Sequence, residues 1–331
     1  MRSTADAVPA PTNTRGAGLI DRLWSASPPL TAVGLLMLVV AVASLVGIVV
    51  DPRLITGAPA WLKPFKFAIS AAIYCLTLAW MFRWLPNRTR VRRVVGWATA
   101  IVFVLEVAII DAQAWRGTTS HFNTATMLDR ALFAVMGTAI LLQTFASVAV
   151  AVALWRQQFA DRALGWALRF GMTLTIVGAL TGGLMTRPTS DQLAKARAGE
   201  GVPVIGAHTV GAADGGPGVP LIGWSREHGD LRVPHFIGLH AVQALVLIAV
   251  GLRRWRGTDA VRVRVVFVAV ASYVLLFVLL LWGALRGQSV VATDATALTS
   301  LAIWAAATAL ALGWIGLASR VRSERLDRRP A

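Results

Sequence analysis

Five histidines and a handful of carboxylates, set in or beside long apolar runs, are the residues through which this chain can do chemistry. His121, His208, His228, His235 and His240 all precede or follow apolar segments on what reads as a single side of a membrane. A neutral imidazole there can ligate a metal or haem, relay a proton, or serve as a hydrogen-bond partner between helices. His235 and His240 open the run Pro-His-Phe-Ile-Gly-Leu-His-Ala-Val-Gln. On a regular helix a five-residue gap turns them about 140° apart, so they do not grip one metal as an i, i+4 pair would. The face formed by Phe236, His240, Gln243 and Leu247 places His240 inside a helical bundle.

Glu106 lies near the midpoint of an apolar segment that runs from Arg93 to Arg116. An ionisable side chain at that depth costs about 2.5 to 3.5 kcal/mol on insertion scales, so something must offset it. It is expected either as a proton carrier or ligand, or as a neutral acid hydrogen-bonded to Gln143 or Tyr273. Gln113 shares its face seven residues on, and Asp111 sits about 140° round and nearer the helix end. If neighbouring segments meet there, Asp111, Asp129, His121 and His240 converge, an imidazole and carboxylate set suited to iron, zinc or manganese. His208 is a further candidate ligand. Ser120 or Asn123 is expected to cap the helix that carries Asp129. Lys63, Lys66, Ser70, Tyr74 and Thr77 recur at three and four residues, a polar stripe beginning at a helix N-terminus, where an anionic lipid, a carboxylate or haem propionates are accommodated.

The elements that must position these groups are transmembrane helices. The chain has 331 residues, 56% hydrophobic and only 15% charged, with a mean hydropathy of +0.64. About 20 apolar residues cross the hydrocarbon, and such windows fall at 29–50, 65–84, 94–115, 124–154, 164–185, 235–252, 265–286 and 296–318. The expectation is an all-α polytopic membrane bundle of about eight spans, since continuous runs of this length exclude a β-barrel. Of the 32 Lys and Arg residues, 21 fall in the two tails and in the connections at 83–93, 156–169 and 253–264. The positive-inside rule makes that side cytoplasmic, with both termini in, as in a bacterial-type plasma (inner) membrane. The net charge of +16 is therefore a topology signal, and nucleic acid is excluded as a partner.

Residues 1–27 read as a disordered cytoplasmic tail, 28–318 as the transmembrane domain, and 319–331 as a basic tail. The one long connection, 186–234, has nine glycines between Gly199 and Gly229, but Val202, Val204, Ile205, Val210, Leu221, Ile222 and Trp224 are interleaved with them. A flexible linker is usually poor in such residues, which favours an ordered extracytoplasmic cap. Gly178 and Gly182 form a small-xxx-small pattern for close helix packing. The single cysteine, Cys75, excludes both a disulfide framework and a cysteine zinc site.

Four functional readings follow, one of them a non-catalytic assembly partner within a larger membrane complex. A membrane oxidoreductase would bind haem b or a transition metal through His240 with His121, His208 or His235, with quinone as a partner. A proton-coupled secondary transporter would use Glu106 as its proton carrier. A metal-assisted enzyme would modify lipid or envelope material from the outer leaflet, and in each reading the bilayer itself is a partner.

Overall fold

The computed structural model describes residues 18–255 and 257–327, with side chains as far as residue 319. Residues 1–17 of the expected N-terminal tail and 328–331 of the C-terminal tail lie outside the described residues. The chain folds as an all-helical bundle in which, among the described residues, seven helices are long and apolar enough to cross a membrane. These are α2 (Pro28–Val50), α3 (Leu62–Phe82), α4 (Thr89–Trp115), α5 (Met127–Arg156), α6 (Arg162–Met185), α10 (Asp259–Leu285) and α11 (Ala295–Asp327). Numbered with them in chain order are α1 (Leu19–Ala26), α7 (Ser190–Arg197), α8 (Arg232–Leu239) and α9 (Ala241–Gly251). The tail expected through residue 27 thus becomes helical at Leu19, because Leu19, Leu23 and Ala26 give that stretch an apolar stripe whose Leu23 and Ala26 are buried.

The eighth expected span, 235–252, is not one regular helix. It is the pair α8 and α9, bent by 44° at His240. The bend has an identifiable cause. Gly238 of α8 lies so close to Gly178 of α6 that a Cβ on either would fall within 3.0 Å of the other's backbone. The Thr175 hydroxyl of α6 reaches into the break, donating to the Leu239 carbonyl and accepting from the Val242 N–H, both at 3.3 Å. Tyr273 of α10 donates to the Ile237 carbonyl at 2.6 Å. Backbone groups released inside a bundle must find partners there, and these hydroxyls supply them. The glycine pattern read from the sequence is thus one edge of a groove: Gly171 faces Val242, Gly178 faces Gly238, and Gly182 faces the His235 ring.

Helix ends follow local rules. Asp161 and Thr258 cap α6 and α10. Thr126, rather than Ser120 or Asn123, caps α5 by accepting from the Asp129 N–H, so Asn123 is free to tie Thr118 and Thr119 together. The connection between α6 and α8 is held to the bundle by named bonds. The strands β1 (Leu54–Ile55) and β2 (Ala58–Pro59) make a hairpin after α2, and two short antiparallel strands within the connection, β3 (Thr209–Val210) and β4 (Gly229–Asp230), pair with each other. Ile205 N–H donates to the Phe122 carbonyl, the Thr124 hydroxyl to the Val202 carbonyl, and the Lys66 ammonium to the Ile222 carbonyl, at 2.9, 2.7 and 2.9 Å.

Packing is uneven along the bundle. The largest apolar core, including Leu30, Leu78, Phe82, Leu154, Leu164, Leu168, Met172 and Leu245, fills the half remote from the long connection. The half beneath that connection holds His235, Lys63 and Lys66, with Lys66 bonded to the connection itself.

Candidate functional site

Glu106 sits on the buried face of α4 with Thr99 and Gln113, one residue every seven. Its carboxyl is 2% exposed, and neither oxygen accepts a hydrogen bond from any described residue. The partners expected for a purely structural acid are engaged elsewhere: Gln143 donates to the Tyr74 hydroxyl at 3.3 Å, and Tyr273 is spent on α8. Nearest to the carboxyl is the imidazole of His121, with Nε2 3.5 Å from Oε1. Lys63, on α3, lies within electrostatic reach of Glu106. Its ammonium stands 5.8 Å from the centre of the Phe67 ring, and the His121 ring lies 5.4 Å from the same ring. One phenyl ring therefore separates and positions a cation and an imidazole beside an unpartnered acid.

His121 is fixed by the segment between α4 and α5. Its Nδ1 is 3.1 Å from the Ser120 hydroxyl, which leaves Nε2 directed at Glu106. The next residue, Phe122, has φ of +62°, a left-handed conformation that is a genuine outlier for a bulky side chain. It is held there by the bond from Ile205 and by burial of its ring, 5% exposed. That turn places the Phe122 ring against His208 on one side, 4.9 Å between centroids, and His121 on the other, 6.1 Å.

Burial first, then the positive Lys63 and the neighbouring His208 and His235, hold His121 well below the usual imidazole range. Its contact with Glu106 is therefore a neutral or proton-sharing one rather than a standing ion pair. His208 is also lowered, again chiefly by burial, although Asp214 at 2.7 Å opposes the shift. Burial works against ionisation of Asp214, but hydrogen bonds from the His208 ring and the N–H groups of His208 and Thr209 outweigh it and hold the carboxyl far below its ordinary range. Because the folded chain binds fewer protons on His121 and His208 than the unfolded chain, stability is present above the free imidazole value of about 6.5 and falls as pH drops below it. The thermal unfolding midpoint of the detergent-purified protein is expected to fall as pH is lowered through that window. A midpoint that rises or stays level would contradict the neutral assignment.

The other expected site residues are placed as follows. Asp129, 3% exposed, accepts from Gln113 Nε2 at 2.9 Å, Arg116 at 2.8 Å and Thr126 Oγ1 at 2.6 Å. Arg116 also reaches the Gln113 side-chain oxygen. This closed corner joins α4 to α5 and leaves Asp129 little capacity for a metal. Arg116→Ala should destabilise by about 1 to 3 kcal/mol, since the carboxylate loses a partner while buried; thermal unfolding of the variant measures it, and no loss would show the corner to be dispensable. Asp111 is half-buried, with Oδ1 unpartnered among the described residues. His235 donates from Nδ1 to the Gly178 carbonyl at 2.7 Å. His240 stands at the helix break, its ring 4.3 Å from Phe236, rather than within a continuous helical face.

Asp111, His121, Asp129 and His240 were expected to converge as metal ligands. Among the described residues, no three His, Cys, Asp or Glu side chains are placed to hold a metal ion. The chain matches no described protein family, no curated protein and no solved structure. What the arrangement can do chemically is move a proton between a buried acid and an imidazole under a cation's influence. Phe67, Ser120, Phe122 and Asp214, which set that geometry, carry no chemical signature in the sequence and were not among the expected site residues.

Proposed function

We propose that the protein is a proton-coupled secondary transporter in which Glu106 carries the proton and His121 exchanges it with the long-connection side. The observation that carries this reading is the Glu106 carboxyl, buried at mid-helix, without a hydrogen-bond partner among the described residues, and 3.5 Å from an imidazole. A structural acid would be tied down. A proton carrier must instead be stable both neutral and ionised, and the neighbouring Lys63 supplies the charge that makes the ionised form tolerable. The break at His240 supports the same reading, since interrupted helices beside a polar site recur in secondary transporters.

In this account the protein lies in a bacterial-type plasma (inner) membrane, with both termini cytoplasmic. The loop from residue 186 to 234 covers the site from the outside. The helix pair α8 and α9 counts as one span, which makes eight.

A hydrophobic carbodiimide tests the role of Glu106. It adds to a protonated carboxyl in apolar surroundings, so the purified protein is expected to be modified at Glu106, faster as pH falls. Peptide mass spectrometry locates the adduct. Modification confined to other carboxyls, or independent of pH at Glu106, would contradict the proposal.

A further inference from the structure

We propose that the same site takes up one small, singly charged anion with each proton, held by the Lys63 ammonium beneath the long connection. This rests on Glu106 being the proton carrier. Charged and titratable groups from α3, α4, the connections and α8 act on one another here and must balance. Lys63 feels Glu106, Lys66, Arg232 and Asp214, and His121 feels Lys63, His208 and His235. His235 in turn feels His208 and His240.

Most of these groups are already committed. Asp230, 2% exposed, is gripped by the Arg232 guanidinium at 2.6 Å and by the Ser225 N–H at 2.8 Å. Asp214 is closed by His208 and two backbone N–H groups. Lys66 is given to the Ile222 carbonyl. Lys63 and Glu106 remain, neither with a hydrogen-bond partner among the described residues. Lys63, Lys66 and Arg232 then stand against Asp214, Asp230 and Glu106, with His121 and His208 neutral. The cluster is balanced while Glu106 is ionised.

When Glu106 takes a proton, one positive charge is left uncompensated in a half-buried place. An anion restores the balance, and only a singly charged one does so without overshooting. The Phe67 ring, 5.8 Å from the ammonium, favours a small one. The N-terminus of α3 adds to the attraction, because it begins at Leu62 with no side-chain cap. By linkage, anion binding must draw in a proton by the same factor that the proton draws in the anion. No bond is made or broken: a proton passes from solvent to Glu106, and the anion passes from solvent to Lys63.

The experiment uses the full chain in nanodiscs of zwitterionic lipid, so that no anionic headgroup can substitute. Chloride or formate is added to a weakly buffered sample near neutral pH, and proton uptake is followed with a soluble pH dye. Uptake is expected on addition of either probe, saturating with its concentration. Lys63→Gln should weaken the apparent anion affinity about tenfold or more. Absence of anion-linked uptake in the wild type, with Glu106 still labelled by carbodiimide in a pH-dependent way, would overturn the anion inference alone. Undiminished uptake in Glu106→Gln would overturn the proton role of Glu106 on which it rests.

Discussion

Gly178→Ala is expected to leave little correctly folded protein. A Cβ at this position meets the backbone of Gly238 and Leu239 closer than 3.0 Å. Backbone in a packed helix cannot swing aside as the end of a long side chain can, so α6 must separate from α8. The separation also pulls Thr175 from the break, where its hydroxyl serves both Leu239 and Val242. It further breaks the His235 bond to the Gly178 carbonyl. Overpacking alone costs about 1 to 3 kcal/mol, and each buried polar group stripped of its partner adds about 1 to 3 kcal/mol. The total is a large share of the 5 to 15 kcal/mol, roughly, that separates a folded domain from its unfolded chain. Gly183→Ala is the control on the same helix, because a Cβ there meets nothing within 4 Å. Size-exclusion profiles and thermal unfolding of the two variants in detergent compare them directly. Gly178→Ala as stable as Gly183→Ala would mean that the close crossing of α6 and α8 is not formed.

Glu106→Gln is expected to separate function from stability. The substitution keeps size and shape but cannot exchange a proton, so proton-coupled activity should be lost outright rather than reduced. Stability should hold or improve. In the native chain no hydrogen bond holds the carboxyl in place, and a charge at mid-span carries an insertion cost of about 2.5 to 3.5 kcal/mol. A residue kept for its chemistry at the expense of stability shows this signature. The loss of an interaction partner for Lys63 works in the opposite direction. It is limited because Lys63 is only half-buried and its ammonium also stands 5.8 Å from the centre of the Phe67 ring. Thermal unfolding alongside the proton-uptake assay reads both effects. A strongly destabilised Glu106→Gln would assign the residue a structural role.

Much of this was legible in the sequence, and the parts that were not share a cause. The long helices follow from hydrophobic runs alone, because an apolar stretch of sufficient length has no other stable arrangement in lipid. Glu106 stood out for the same reason: a lone acid in such a run conflicts with its surroundings. Asp129 was singled out as well, yet its neighbours Gln113, Arg116 and Thr126 satisfy it. Satisfaction by side chains up to 16 positions away is a property of the folded corner rather than of local sequence.

His240 was expected inside a regular helix because the run from Phe236 to Leu247 is periodic and contains no internal proline. The break arises from contact with Thr175 and Gly178, and Gly238 looks like any helical glycine until its partner is known. His121 gave no hint of its proximity to Glu106, since 15 residues and a turn separate them. The left-handed conformation of Phe122 is unreadable from a residue type that rarely adopts it. Residues that do chemistry betray themselves by being out of place, whereas residues that aim them do not.

The central claim, that Glu106 gains and loses a proton in the folded membrane protein, is tested most directly by infrared difference spectroscopy. The protein, carrying carbon-13-labelled glutamate, is compared at acidic and alkaline pH in lipid. An isotope-shifted carbonyl stretch of a protonated carboxyl is expected in the acid spectrum. That band is lost at alkaline pH, and Glu106→Gln lacks the component that belongs to Glu106 while keeping that of Glu200, Glu227 and Glu324. A difference spectrum that Glu106→Gln leaves unchanged would contradict the claim.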